Sequence, residues 1–283
     1  MHFGSLIAAL GSCLEARSRG GAWLVRMEDL DPPREVAGAA DAILRALEAF
    51  GFEWDDTVIY QSRRRGAYDA ALEALRSLGM TYHCACTRAE ILRTARTGID
   101  APVYPGTCRA GLPPGGRERS VRLRTHDRPI RFEDEIQGAI SQAVQSEVGD
   151  FVIRRADGLH AYHLAVVVDD AEQHISHVVR GADLLSSTPR QIYLQQLLGL
   201  TAPGYLHLPV AVDGAGHKLS KQTGAAAVDT RNPLPALLAA WRFLGQARPA
   251  ESPGNLAEFW EWAVGQWDPA RIPRQPSQPI SSR

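Results

Sequence analysis

The sequence predicts an α/β fold with a parallel sheet, a small inserted unit and a short helical C-terminal part. Three observations predict it. Amphipathic helical stretches alternate with short apolar ones at βαβ spacing through residue 80. The rhythm breaks over 81–145, where turn-rich, cysteine-bearing text intervenes. It resumes at 146 and gives way after 225 to two short helical stretches. The expected division is therefore 1–80 with 146–225 as one α/β core, 81–145 as an insertion with its own small fold, and 226–283 as a helical end.

Taken in order, SLIAALGSCLEARSRGG reads as a helix stopped by a Gly pair, and AWLVRMED as a short strand. EVAGAADAILRALEAFG is a second amphipathic helix, TVIYQS a strand and RRRGAYDAALEALRSLG a third helix. In the insertion, CACTRAEILRT leads into the turn-rich APVYPGTCRAGLPPGG, then into β-like SVRLRT and IRFEDEI. FVIRRADGLHAYHLAVVVDD carries the continuous apolar run of an interior parallel strand. ISHVVRGADLL, a helix at TPRQIYLQQLLGL and the strand-like YLHLPVAV continue the core. PLPALLAAWRFLG and NLAEFWEWAVGQW are helical, and the tail RIPRQPSQPISSR has the Pro/Ser bias of a disordered end.

Bulk composition narrows the function classes. A net charge of -1 over 283 residues gives no global basic footprint, so any nucleic-acid contact must come from local patches. Apolar runs such as HLAVVVDD are far too short to span a bilayer, and the start lacks a basic n-region before its apolar stretch. Four cysteines, two of them separated by one residue, suit a metal better than a disulfide framework. A reducing, cytoplasmic setting follows.

Three motifs can carry chemistry. In HFGS, Gly4 would let a nucleotide approach the backbone, the following helix offers free N–H groups to phosphates, and His2 can add a hydrogen bond or charge. Alone, these four residues read as a frayed terminus before a helix capped by Ser5. KLSKQTG, in the Gly-rich loop DGAGHKLSKQTG, brackets a serine with Lys218 and Lys221, which can close on a polyphosphate. A solvated surface loop is the equal alternative. Cys84-x-Cys86 with Tyr104-x-x-x-Cys108 supplies three thiolates for zinc in a segment with little apolar content of its own. Chemistry alone leaves the fourth ligand open, because His83 points away on a regular strand and a tyrosine ligand is unusual. Cys13 reads as a helix-face core residue. Glu28, at the end of WLVRMED, and Arg180, at the end of HISHVVR, sit where open α/β sheets meet ligands, and Tyr162 brings a hydroxyl nearby. Singly each reads as a structural ion pair or strand end. Together they fit a zwitterion with an acidic side chain.

With HFGS, MEDLDPPRE, VVRGAD and KLSKQ in that order, the chain resembles the class I aminoacyl-tRNA synthetases, HFGS standing for their HIGH signature and KLSKQ for KMSKS. HFGSLIAALGS, WLVRMEDLDPPRE, GLHAYHLAVVVDD, VVRGADLL and LHLPVAV look most like the glutamyl-queuosine tRNA(Asp) synthetase family, short paralogues of glutamyl-tRNA synthetase. The resemblance implies a Rossmann-type nucleotide-binding core, a tRNA-facing insertion, and ATP-dependent activation of glutamate, with magnesium accompanying the ATP. The glutamyl group would then pass to queuosine in the anticodon of tRNA(Asp), by a monomer that meets no membrane. It implies glutamate binding by Glu28, Tyr162 and Arg180, and ATP binding by His2, Gly4 and Lys221, with His2, Gly4, Lys218 and Lys221 serving the chemistry. It also implies one structural Zn2+ on Cys84, Cys86, Tyr104 and Cys108. Only about sixty residues follow KLSKQTG, too few for an anticodon-binding domain of normal size. In the family a strand and an RFAPSPTG-type loop precede the HIGH-type turn, whereas here Met1 stands just before HFGS. The expectation is a chain without its first core strand, through a late start codon or a truncation. Two rival readings are a catalytic-domain fragment of glutamyl-tRNA synthetase, and an inactive RNA-binding remnant using the arginines of 63–66 and 117–131.

Overall fold

His2 caps the first helix. Its extended backbone (φ −103°, ψ 168°) lets the imidazole Nδ1 accept from the Ser5 N–H at 3.2 Å, so histidine takes the role expected of Ser5. The computed structural model describes residues 1–31, 36–219 and 227–280. In chain order the elements are α1 (Phe3–Ser18), β1 (Arg26–Met27), α2 (Ala39–Ala49), β2 (Ile59–Tyr60) and α3 (Arg65–Ser77). Next come β3 (Thr81–Cys84), α4 (Arg88–Thr94), β4 (Ser120–Leu123), β5 (Ile130–Asp134), β6 (Gly138–Gln142) and α5 (Val144–Glu147). The chain continues through β7 (Val152–Arg154), α6 (Tyr162–Glu172), β8 (His177–Gly181), α7 (Thr188–Leu198), β9 (Gly204–Leu208) and β10 (Val210–Val212). It ends with α8 (Leu234–Phe243), α9 (Leu256–Gln266) and β11 (Ser277–Pro279).

The main sheet has the order β6-β5-β9-β8, with β5, β9 and β8 parallel and β6 antiparallel at one edge. Helix α1 buries Leu6, Ile7, Leu10, Cys13 and Leu14 against it, the spacing of one helical face. Gly11 brings the helix close to β9, since a Cβ there would stand 2.6 Å from Leu208 Cδ1. As expected, Cys13 is core, and burial pushes its thiol up to about 12. β1 and β2 form a separate parallel ribbon. The facing edges of β1 and β8 flank a cleft of about 420 Å³ whose lining includes Trp23, Leu24, Arg26, Val178 and Val179.

Four stretches differ from the sequence reading. AYHLAVVVDD is the helix α6, not a strand. Leu164, Ala165, Val166 and Val167 are all buried, because neighbours enclose the helix on several sides; such a run carries no period to betray it. IRFEDEI (130–136) forms β5 of the main sheet, while Val152–Arg154, expected in the core, closes the antiparallel sheet β3-β4-β7. The sheets therefore interleave across residue 145. Finally, the tail docks: Ser277–Pro279 pairs in parallel with Val210–Val212, and Ile272 is buried. Proline tolerates such an edge, where a missing N–H leaves no central ladder broken.

Helices α8 and α9 complete the apolar cluster that α1 begins, with Trp241, Phe259 and Phe50 fully enclosed. A buried carboxylate ties this layer together. Glu15, 1% exposed, accepts from Trp267 Nε1 at 2.6 Å and from Arg19. A buried charge of this kind persists only with such partners. Among the described residues no helix is long and apolar enough to cross a membrane.

Candidate active site

Strand β8 delivers Arg180 beside the N-terminus of α7, and the surrounding sequence fixes its guanidinium on three sides. Nη2 donates to Thr188 Oγ1 at 2.8 Å and to Gln191 Oε1 at 2.7 Å, one helical turn apart on α7. Nε donates to Nε2 of His207 on β9 at 3.2 Å. Nη1 has a single long contact among the described residues, 3.5 Å to the hydroxyl of Tyr162 at the start of α6. The guanidinium is thus oriented with one end uncommitted, the arrangement that receives a carboxylate in a fixed direction.

Glu28 follows β1 directly, as expected of a residue at a strand's carboxyl end. Its carboxylate is 3.5 Å from Arg26 Nη2, and Arg26 also holds Asp170 at 2.8 Å. Glu28 opens onto the cleft, 40% exposed, yet protein crowds around it. Crowding raises its carboxyl above the ordinary range, with Arg26 pulling the other way. Asp170 is raised by burial in the same manner, again opposed by Arg26. Glu28 and Asp170 line the cleft with Arg26 paired to both, and these carboxylates, partly offset by Arg26, stand within electrostatic reach of Tyr162 and of the Arg180 cation. A zwitterion with an acidic side chain matches those charges.

A second, smaller pocket of about 170 Å³ joins the other motifs. His2, Gly4 and Ser5 line one wall, Gly181 and Asp183 another, and Lys218 and Leu219 the third. Gly4 matters here. A Cβ would stand 3.2 Å from the His2 ring and 3.6 Å from the Leu219 carbonyl oxygen, so glycine lets the helix start pass close to Leu219. Lys218 Nζ pairs with Asp183 Oδ2 at 2.5 Å. Lys221 lies outside the described residues.

The cysteines converge. Cys84, Cys86 and Cys108 place their sulfurs within 4.8 Å of one another, with Cys86 and Cys108 3.7 Å apart. The Tyr104 hydroxyl completes the group at 3.4 Å from Cys84 Sγ and 3.7 Å from Cys86 Sγ. Ligands about a metal with Zn–S bonds of about 2.3 Å would have sulfurs about 3.8 Å apart, which the Cys86–Cys108 spacing matches, and the three thiols together could hold a metal ion. Burial pushes the Cys84 thiol up, but hydrogen bonds with Tyr104 and Arg122 prevail and bring it down to about 7. The Arg122 guanidinium lies 3.7 Å from the centre of the Tyr104 ring. His83 pairs with Glu118 instead, in keeping with the alternation of strand β3.

Sequence reasoning missed His207, Thr188, Gln191, Asp170 and Asp183. The available signal was a histidine inside the apolar run YLHLPVAV, where an imidazole needs a partner.

The chain belongs to the class I tRNA synthetase family of the E and Q type: the family described as "tRNA synthetases class I (E and Q), catalytic domain" matches residues 1–234. It is a ligase-type enzyme of that class. More particularly, it is 57% identical to a protein of Chromobacterium violaceum named glutamyl-Q tRNA(Asp) synthetase, over 99% of this chain and 94% of that one. A protein of the same name from Geobacter sulfurreducens is 51% identical over 96% of this chain and 90% of its own. Among solved structures, the glutamate-tRNA synthetase of Elizabethkingia anophelis superposes with a TM-score of 0.82 at 24% identity, which speaks for the fold. All of this chain is covered there, but only 66% of that longer one.

Proposed function

We propose that this chain activates glutamate with ATP and passes the glutamyl group to queuosine in the anticodon of tRNA(Asp). The observation that carries the amino-acid half is the fixed guanidinium of Arg180 facing Tyr162, with Glu28 and Asp170 within its electrostatic reach. Arg180 holds the side-chain carboxylate and Glu28 draws the ammonium. The α-carboxylate is left to attack the α-phosphorus of ATP, giving glutamyl-adenylate and releasing pyrophosphate. His2, Gly4, Lys218 and Lys221 receive the phosphates, with Mg2+ accompanying the nucleotide. Rate enhancement comes from positioning and from cations placed where charge develops. The 57% identity to a protein named for glutamyl-Q tRNA(Asp) supports the acceptor half.

Cys84, Cys86, Cys108 and Tyr104 would hold one zinc, whose part is to brace the turn-rich region rather than to react. That region, 81–145 in our division, lends β5 to the main sheet, and its turn-rich part faces the tRNA and offers Arg117 and Arg119 for phosphate contacts. The enzyme works as a cytoplasmic monomer.

The test is glutamate-dependent ATP–pyrophosphate exchange without tRNA, followed by transfer of labelled glutamate to tRNA. Exchange with glutamate but not glutamine, and transfer only to queuosine-bearing tRNA(Asp), is expected. Transfer to unmodified tRNA(Glu) would point instead to an acceptor-end synthetase, and no exchange would favour the RNA-binding remnant.

A further inference from the structure

A buried histidine to which the sequence reading gives no role stands behind Arg180. His207, with no exposed side-chain surface, places Nδ1 2.6 Å from Oδ2 of Asp134, which is equally buried. Its other nitrogen, Nε2, faces Arg180 Nε at 3.2 Å and Thr188 Oγ1 at 3.1 Å. Asp134 cannot easily take a proton. Its Oδ1 accepts the backbone N–H groups of Ile136 at 3.1 Å, Gln137 at 2.8 Å and His207 at 3.2 Å. Burial opposes its ionisation, yet the His207 hydrogen bond and these N–H groups prevail and hold its carboxyl below the ordinary range.

An ionised Asp134 accepts only, so His207 must donate from Nδ1. The Arg180 Nε–H donates always, so Nε2 must keep its lone pair. Both demands select one state, the neutral Nδ1–H tautomer. We propose that His207, its tautomer set by Asp134, is a positioning residue that aims the Arg180 guanidinium at the substrate carboxylate. A neutral imidazole anchors the arginine without cancelling its charge, which a carboxylate in the same place would do. Around His207 the charged groups are Asp134 from β5, Arg180 from β8 and Asp183 from the turn after β8. Burial and then Arg180 disfavour its imidazolium, against the pull of Asp134. The inference rests on Arg180 as the carboxylate holder.

The experiment uses pyrophosphate exchange on four variants of the full chain. His207→Leu leaves a guanidinium N–H unpaired and should raise the KM for glutamate about tenfold or more, with the KM for ATP within about twofold. His207→Gln offers an amide oxygen to Arg180 and should recover most of that loss. Asp134→Asn should reproduce the His207→Leu defect. Its amide satisfies the backbone N–H groups, but its NH2 forces the imidazole into the Nε2–H tautomer, donor against donor. Arg180→Ala calibrates the series. If it leaves the glutamate KM unchanged, the binding assignment itself fails. If it raises the KM while His207→Leu does not, only the positioning role fails. Parallel rises in both KM values, or no rescue by glutamine, would also overturn that role. Nitrogen-15 NMR of the unsubstituted chain decides the matter even if variants misfold: Nδ1–H with a bare Nε2 supports the proposal, and Nε2–H or imidazolium at pH 7 overturns it.

Discussion

Lys218 Nζ stands 2.5 Å from Asp183 Oδ2 across the narrow pocket whose other wall is the His2–Gly4 turn. The lysine is half exposed and the aspartate about a third, so the pair adds under about 1 kcal/mol to stability. Its value lies in placing an ammonium at the pocket mouth. Lys218→Ala should therefore reduce glutamate-dependent exchange by about a hundredfold, as loss of one preorganised phosphate partner does. The unfolding free energy from urea titration should stay within about 1 kcal/mol of the parent. A large stability loss with unchanged exchange would reverse this assignment.

Metal removal should act at a distance from that pocket. Cys108→Ser, or a strong chelator, should release one zinc per chain by elemental analysis and lower the thermal midpoint. Exchange without tRNA should suffer less than transfer to tRNA. Gly149 offers a subtler probe: its φ of +83° is left-handed, and a Cβ would sit 2.8 Å from Tyr104 N. Gly149→Ala must push that backbone, displacing Tyr104, and should lower zinc retention without removing a ligand.

Asp169 should be the costliest polar residue to lose. It has no exposed side-chain surface and accepts from Gln61 Nε2 at 2.7 Å, Tyr68 Oη at 2.8 Å and Arg64 Nε at 2.6 Å. Asp169→Ala strands all three, and urea unfolding should show a loss of about 3–5 kcal/mol. A loss under about 1 kcal/mol would mean that the network relaxes onto Glu172, which already pairs with Arg64 at 2.6 Å.

Acid should weaken the fold through His163. Its imidazole packs on the rings of Phe151 and Tyr162, and its Nδ1 lacks a hydrogen-bond partner. Burial first, then Arg190 and Arg180, push it down to about 3. An unfolded histidine titrates near 6.5, so between these values the unfolded chain binds the extra proton. The stability this provides is complete above about 6.5 and shrinks as the pH falls toward about 3. The urea midpoint should drop from pH 7.5 to pH 5, and drop less in His163→Gln.

Much of this was legible in the sequence because period and punctuation are local. The helix face of α1, the strand ends carrying Glu28 and Arg180, and the cysteine spacing all follow from residue order alone. Tyr162 was found for its hydroxyl but misplaced on a strand, since enclosure by neighbours erases the period that separates helix from strand. Tertiary pairing was out of reach. Nothing near His207 in the chain announces Asp134, 73 residues away, and nothing in the Pro/Ser-rich tail announces its partner strand β10.

That tail has a mechanical consequence. Because Ser277–Pro279 returns to Val210–Val212, and Trp267 fastens to Glu15, the stretch after α9 is held at two points. A single protease nick at the exposed Glu251–Ser252 should release nothing: the two pieces would co-elute in buffer and part only in denaturant. The helices α8 and α9 are a clasp on the catalytic layer, and they should melt with it in one transition.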